Sequence, residues 1–462
     1  MKVLLAGYNL DAAVIEDLKQ GNIKKDNITP EVLSASYARI SRDPRPIDEL
    51  RADARREIEK ARKSNQNIIF KMGHHSVAEH AVFNFDVIGI SRLALEELEK
   101  FRLCSYTEKS QRYQKLEGSF YLPEEIKNKN IFEQTIDKQN KFYEKMKQKG
   151  IESEDARYIT SLSTLGQVGI TLNARNLELM FRRFASSPLG EIQTLGRKMY
   201  DQIKDIAPSI ILFTSANKLD RDTYNEIKQK AKKQKNIKSR EVELVDFTKN
   251  ADLKILAALL HTTSNASYLS CLKTAKTLSK NNKLELFKTA LKNVEFYDAV
   301  LREFEYADLL FDLNISAACF GQLKRHRMAT VTSQLYDPEL GITTPSTVLA
   351  AGLKKDFENV AKETERAFYT LAKENHLAAS YILTNAHRKR VLFKCNAREL
   401  YHLSRLREDK HAQWDIQNIS RIMSEKAKGK MPLTMLTIGG KDAYPCIYEK
   451  VFGKKLKILP QY

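Results

Sequence analysis

The sequence predicts an α/β (α+β) chain made of two tandem copies of one module. Two observations predict it. The segment from Ile90 to Ser105, I-S-R-L-A-L-E-E-L-E-K-F-R-L-C-S, aligns without a gap with the segment from Ile315 to Thr330, I-S-A-A-C-F-G-Q-L-K-R-H-R-M-A-T. Around each segment, short β-rich runs alternate with longer helix-period stretches, and the same landmarks recur in the same order. A repeat of about 200 residues is far too long for a solenoid unit. It reads as a duplicated domain, which within one chain imitates a homodimer. The expected division is residues 1–235 for the first copy and 236–462 for the second.

The first copy opens with Val3 to Ala6, expected as a buried strand. This run is too short for a signal-peptide core and lacks a small-residue cleavage site. Residues 31–40 form an apolar-periodic helix. Asp43-Pro44-Arg45-Pro46 breaks it, because proline disfavours helix at and before its own position. Residues 47–64 are charged and helical, and Gly73-His74-His75-Ser76 turns the chain. Residues 81–90, with Val82, Phe83, Phe85, Val87 and Ile88, read as a strand. Ser91 suits the N-cap of a helix that ends near Phe101. A polar loop with Ser105, Thr107, Ser110 and Tyr113 comes next. Helices follow over residues 124–149, from residue 152, over 173–183 and over 191–206.

The basic stretch from Lys228 to Arg240 reads as a helix tail plus linker. In the second copy, residues 242–247 are a strand and 252–260 a helix. Residues 284–310 read as helix, after which Phe311-Asp312-Leu313 echoes Phe85-Asp86-Val87. The repeated helix starts at Ser316, and a loop runs through Tyr336. Helices over residues 354–375, 396–406 and 415–428 mirror the long helix, the N-A-R helix and the last helix of the first copy.

At 462 residues, with 42% apolar and 29% charged residues, the chain is a globular protein of more than one domain. No apolar run approaches the ~20 residues needed to cross a bilayer. The five cysteines are widely spaced, which excludes a disulfide framework and a C-x-x-C metal site. Reduced thiols and a cytoplasmic location are expected. The net charge of +19 suits a polyanion. A nucleic acid and a phosphate-rich small molecule both satisfy it, and charge alone does not separate them.

Two segments carry the chemistry. In Arg325-His326-Arg327, two guanidiniums at alternate positions can grip a diphosphate, because arginine offers fixed, bidentate donors. The histidine can add a donor or move a proton. Taken alone, the same three residues are better explained as a basic helix end that complements the macrodipole. In the loop S-Y-T-E-K-S-Q-R-Y, Glu108, Ser110 and Arg112 fall at alternate positions, so an extended backbone projects all three to one face. Arginine on a phosphate, with serine and glutamate on sugar or base, suits a nucleoside monophosphate; an alternating polar surface explains the same residues.

Together, R-H-R-x-x-S, the alternating E-x-S-x-R-Y and the upstream S-x-x-E-H (Ser76, Glu79, His80) resemble the flavin-dependent (ThyX-type) thymidylate synthases. So do E-D-A-R-Y (Glu154 to Tyr158), N-A-R at Asn173 and Asn396, and R-x-x-x-H-A-Q-W (Arg407 to Trp414). The resemblance covers most of both copies. It implies a twisted sheet with a helical subdomain in each copy. It also implies reductive methylation of dUMP to dTMP, with methylenetetrahydrofolate as carbon donor, NADPH as reductant and FAD as cofactor.

Carried over position by position, the resemblance assigns FAD to Arg325, His326, Arg327, Asn396, Arg398 and His411, with Ser76 and His80 beside it. It assigns dUMP to Gln322, Glu108, Ser110, Arg112, Arg157 and Arg407, with Ser110, Arg112 and His326 as the catalytic set. His74, His75 and His80 are expected near the flavin rather than on a metal ion. The two copies have decayed in opposite places. The first has Lys100-Phe101-Arg102 for R-H-R and Glu97 for the glutamine. The second has Ser333, Leu335 and Asp337 for the nucleotide loop and Ser380 for Arg157. The resemblance therefore implies one composite site, flavin half from the second copy and nucleotide half from the first. The expected partners are dUMP, folate and a second copy of the chain in a homodimer that imitates the family's tetramer. A membrane is not among them, and nucleic acid is not favoured. The alternatives are a diverged flavoenzyme acting on another pyrimidine nucleotide or an RNA base, and a non-catalytic nucleotide- or flavin-binding protein.

Overall fold

The computed structural model describes residues 1–21, 27–231 and 240–458. The chain forms two compact units, Met1–Lys235 with Lys355–Leu383, and Asn236–Lys354 with Thr384–Tyr462. Each holds a four-stranded antiparallel sheet. In the first, β1 (Lys2–Tyr8), β2 (Val82–Ser91), β3 (Cys104–Glu108) and β4 (Leu165–Asn173) lie in the order β1-β2-β4-β3. In the second, β5 (Val242–Phe247), β6 (Asp308–Ser316), β7 (Thr330–Ser333) and β8 (Arg388–Asn396) lie in the order β5-β6-β8-β7. The mixed helix-and-sheet class and the duplication are both as expected. Even the irregularities repeat: the register shifts between Leu5 and Gly7 in one first strand and between Leu244 and Asp246 in the other.

The central pair sets each unit. β2 runs along β4 from Val82↔Asn173 to Ser91↔Leu165. β6 runs along β8 from Asp308↔Asn396 to Ser316↔Arg388. Side chains alternate across a strand, so Phe83, Phe85 and Val87 share one buried face, as do Leu309, Phe311, Leu313 and Ile315. That alternation overrides the helix expected over residues 284–310. The helix there is Lys280–Leu291, and the chain reaches β6 through a 3-10 turn at Arg302–Tyr306. β1 is also not the buried strand expected. It pairs on one edge only, and Leu4 is 38% exposed.

Each central strand ends on a residue that caps the following helix. Ser91 Oγ accepts from Ala94 N–H at 2.9 Å, and Ser316 Oγ accepts from Cys319 N–H at 3.0 Å. Asn173 and Asn396 cap the helices Ala174–Ala185 and Ala397–Arg407 in the same way, at 3.0 and 2.8 Å. Each such cap stabilises its helix by about 1 kcal/mol. The two serines then donate to a buried carboxylate in the first turn of the last repeated helix. Ser91 Oγ lies 2.6 Å from Glu191, and Ser316 Oγ lies 2.6 Å from Asp415.

The helix Lys354–Leu371 is the repeat's counterpart of Lys129–Gln148, and nearly all of it belongs to the first unit. There it packs on that counterpart. Gln139 Nε2 donates to Thr364 Oγ1 and to the Ile382 carbonyl, both at 2.9 Å. Most of the basic stretch from Lys228 to Arg240 lies outside the described residues. Among the described residues no helix is long and apolar enough to cross a membrane. All five cysteines are free thiols, and only Cys446 is exposed.

Burial raises the Glu191 carboxyl above its ordinary pKa, although Ser91 and Tyr381 donate to it. A raised folded-state pKa contributes stability below the unfolded value and loses it as pH climbs through the folded value. The Glu191→Gln variant has no such loss. Its urea midpoint, relative to wild type, should rise as pH climbs above the ordinary carboxylate range. A constant difference would show that Glu191 stays charged without cost.

Candidate functional site

In the first unit, the E-x-S-x-R segment leaves the sheet at the end of β3, where Glu108 pairs with Val168 of β4. The segment is extended only as far as Glu108. Ser110 Oγ then accepts from the Arg112 N–H at 3.2 Å, and the Ser110 carbonyl accepts from Gln114 N–H at 3.3 Å, which closes a turn. A short hydroxyl side chain competes well for backbone donors in this way. The turn corrects the expectation of three side chains on one extended face.

Three guanidiniums meet around this turn. Arg92, the first residue after the Ser91 cap, lies 3.8 Å from Glu108 and 3.7 Å from Glu96. Arg112 Nε lies 2.9 Å from Glu154 Oε1. Arg157 Nε donates to the Glu154 carbonyl at 3.2 Å. Burial, with Arg92 and Arg112 nearby, lowers the pKa of Arg157 from its usual value. Like charges held this close are poised for an anion. Beside them lies a cleft of about 240 Å³ lined by Glu108, Ser110, Gln111, Gln114 and Gln167. Gln111 is only 7% exposed, and neither end of its amide finds a hydrogen-bond partner.

The turn after residue 72 forms a 3-10 helix, His75–His80. Ser76 and His80 are exposed on it, and the His80 ring stands edge-on to Tyr37 at 4.5 Å. His75 packs on Phe70. Glu79 pairs with Arg175 of the first N-A-R.

In the second unit, the short helix Ala317–Leu323 delivers the R-H-R motif. Past its end the side chains alternate: Arg325 and Arg327 are exposed and His326 is buried, 3% accessible. Arg325 Nε also donates to the Gly321 carbonyl at 3.3 Å. Two guanidiniums outside a turn, with the ring between them directed inward, fit the pyrophosphate of a dinucleotide. The His326 ring lies between Glu399 and Arg407. Its Nδ1 is 3.1 Å from Glu399 Oε1, and its Nε2 accepts from Arg407 Nε–H at 3.0 Å. Arg407 Nη1 also reaches Gln322 Oε1 at 3.5 Å. Burial and the adjacent Arg407 charge push the His326 pKa well down, so the ring is neutral. Burial raises the pKa of Glu399.

Asn396 serves as the helix cap already described. Arg398 donates to the Val300 carbonyl at 2.8 Å and pairs with Glu305 at 3.1 Å. His411 is exposed, and its N–H donates to Asp409 Oδ1 at 2.8 Å.

Within each unit the structure thus gathers the residues that the sequence singles out. Glu108, Ser110, Arg112 and Arg157 cluster in the first, and Gln322, His326 and Arg407 in the second. Sequence reasoning missed Arg92, Gln111, Glu154 and Glu399. Arg92 had a visible signal: it stands only in the copy that keeps the nucleotide loop, where the other copy has Ala317. Glu399 directly follows the second N-A-R, where the first copy has Asn176. Gln111 sits at a variable position of its motif and had no signal.

Comparison with known proteins follows the same division. Over 209 residues, 40% of this chain, it is 32% identical to a flavin-dependent thymidylate synthase of Clostridium tetani, and that stretch spans 82% of the relative. Over 151 residues it is 31% identical to the enzyme of that name from Sulfolobus acidocaldarius, spanning 58% of that relative. Among solved structures, Thymidylate Synthase X from Helicobacter pylori with FAD and dUMP aligns over 44% of this chain and 93% of its own. There the identity is 19% and the TM-score 0.33. Residues 25–209 and again 243–433 match the family described as Thymidylate synthase complementing protein. With one match in each repeat and most of the sequence covered, the chain belongs to the thymidylate synthase complementing protein family.

Proposed function

We propose that this protein is a flavin-dependent thymidylate synthase that methylates dUMP to dTMP, with methylenetetrahydrofolate and NADPH as co-substrates. The observation that carries the reading is the gathering of Arg92, Arg112 and Arg157 beside a cleft, in the copy that kept the E-x-S-x-R loop. Three guanidiniums, interleaved with Glu96, Glu108 and Glu154, offer several fixed N–H donors, which suit a dianionic phosphate. Ser110 and Glu108 face the same cleft and offer a donor and an acceptor to sugar or base. Gln111 presents a buried amide with both ends open, which complements the imide edge of a uracil ring.

In the second copy, Arg325 and Arg327 would hold the FAD diphosphate, and Arg398 and His411 would border it. The bound flavin supplies hydride transfer. The chain's own residues bind the nucleotide, orient its ring and exclude water. No cysteine nucleophile is called for, and burial raises the Cys319 and Cys395 thiols well above the usual range. Because each copy retains what the other lost, both copies serve one reaction. A homodimer would then carry half the sites of a tetramer of single-copy subunits. A second reading, a flavoenzyme that modifies a pyrimidine in RNA, is favoured by the net charge of +19.

Purified protein should be yellow from bound flavin and should form dTMP from dUMP in the presence of methylenetetrahydrofolate and NADPH. A colourless protein that forms no dTMP would overturn the reading, and turnover of an RNA base in place of dUMP would select the second one. Arg325→Ala and Arg112→Ala, each made alone, should lower the rate at least about a hundredfold. Full activity in either would separate the two copies functionally. Gln111→Leu should hold or raise the thermal midpoint, since an unpartnered buried amide costs about 1–3 kcal/mol. The same variant should weaken dUMP binding; unchanged binding would remove Gln111 from the site.

A further inference from the structure

The resemblance assigns His326 to the flavin and to the catalytic set. In the structure its ring is buried inside its own unit, with both nitrogens engaged. From its place between Glu399 and Arg407, we infer that Glu399 and His326 form a relay that fixes the guanidinium of Arg407 toward the nucleotide. They are positioning residues rather than catalytic ones, and the inference rests on the nucleotide-binding reading of Arg407.

The proton inventory dictates the direction of the relay. A guanidinium has donors only, so His326 Nε2 must be the acceptor of the 3.0 Å contact with Arg407 Nε. A neutral imidazole that accepts at Nε2 carries its proton on Nδ1. Nδ1–H then donates to Glu399 Oε1 at 3.1 Å. The carboxylate sets the tautomer, the tautomer sets the acceptor, and the acceptor sets the plane of Arg407. Gln322 Oε1, 3.5 Å from Nη1, steadies a second edge of the guanidinium. The charged and titratable groups facing this ring are Glu399, Arg407 and His402, whose ring centroid is 5.7 Å away. Burial raises the pKa of Glu399, against the opposing pull of His402 and Arg398.

The first unit supplies an internal control. In the gap-free alignment Phe101 stands where His326 does; counted from the two N-A-R motifs, Asn176 stands where Glu399 does and Phe184 where Arg407 does. There the relay is replaced by an edge-to-face pair of phenyl rings, Phe101 and Phe184, at 5.7 Å. Both rings are buried. The same slot in the same fold is therefore filled by two apolar rings, with the Arg183 guanidinium 5.8 Å from that of Phe101. A buried ion–imidazole–ion chain is not the stabilising choice at such a position, because desolvation offsets much of its attraction. Its presence in the copy that kept R-H-R, and its absence from the copy that did not, mark it as serving the site.

The test has two arms. Histidine-selective ¹⁵N NMR of the full chain, with the resonance assigned by its loss in His326→Phe, should show the Nδ1–H tautomer at neutral pH. The Nε2–H tautomer or an imidazolium would overturn the relay. This arm needs neither nucleotide nor turnover, so failure of the proposed reaction leaves it intact. The second arm is a cycle of dUMP affinities for Arg407→Ala, His326→Phe and the double variant. His326→Phe should weaken binding about tenfold, the size of one hydrogen bond to a charged group, and the double variant should be no weaker than Arg407→Ala alone. Additive losses would overturn the proposal. Glu399→Gln keeps an acceptor for Nδ1–H and should lose clearly less affinity than Glu399→Leu. Equal losses would assign Glu399 a purely structural role. This last comparison keeps the affinity arm decisive even if His326→Phe fails to fold.

Discussion

Each unit depends on the register of one antiparallel strand pair, β2 on β4 and β6 on β8. A slip of one residue would turn every side chain of the pair to the opposite face. Val82↔Asn173 and Asp308↔Asn396 put an asparagine at the end of one strand beside the start of the other. The opposite ends carry Ser91 and Ser316. All four residues are helix caps, so the register also fixes where four helices begin. Those helices carry or deliver the functional side chains: Arg92 follows Ser91, the R-H-R motif lies just past the helix that Ser316 caps, and Glu399 and Arg407 lie on the helix that Asn396 caps. Placement of the chemistry is thus a consequence of backbone pairing, and the side chains of the site need not fold the unit themselves.

The buried carboxylates behind the serine caps show the same economy. Glu191 and Asp415 lie near-identical distances along the chain from their serines and accept the same hydroxyl. They tie the first turn of one helix to the first turn of another. Burial of Glu191 raises its pKa, so the tie costs some stability at neutral pH. A polar pin of this kind specifies one packing where an apolar contact could slide. Both copies carry it, with a glutamate in one and an aspartate in the other.

Much of this architecture could be read from the chain. The duplication, the cap at Ser91, the helix starts at Ser316 and the two N-A-R motifs, and the family resemblance all follow from local signals. The strands β4 and β8 did not show. β4 holds Gly166 and Gly169, and β8 opens on Arg388, Lys389 and Arg390. Both compositions look like loop or surface until a neighbouring strand supplies the partner. β6 hid behind the helix before it, because a short apolar run fits either period. The burial of His326 was equally invisible. Sequence spacing gives the order of three basic residues, but which of them turns inward depends on the backbone after the helix ends. The acceptor that makes burial tolerable, Glu399, lies 73 residues away.

Phe101 and Phe184 have a further consequence for the first copy. An arginine alone at residue 184 would find no imidazole to receive it, and a histidine alone at residue 101 would lack the carboxylate and arginine that hold His326 in the second copy. Rebuilding that arrangement in the first copy takes joint replacement at residues 101, 176 and 184. The edge-to-face rings, with the Arg183 guanidinium 5.8 Å from Phe101, therefore keep the two slots chemically apart.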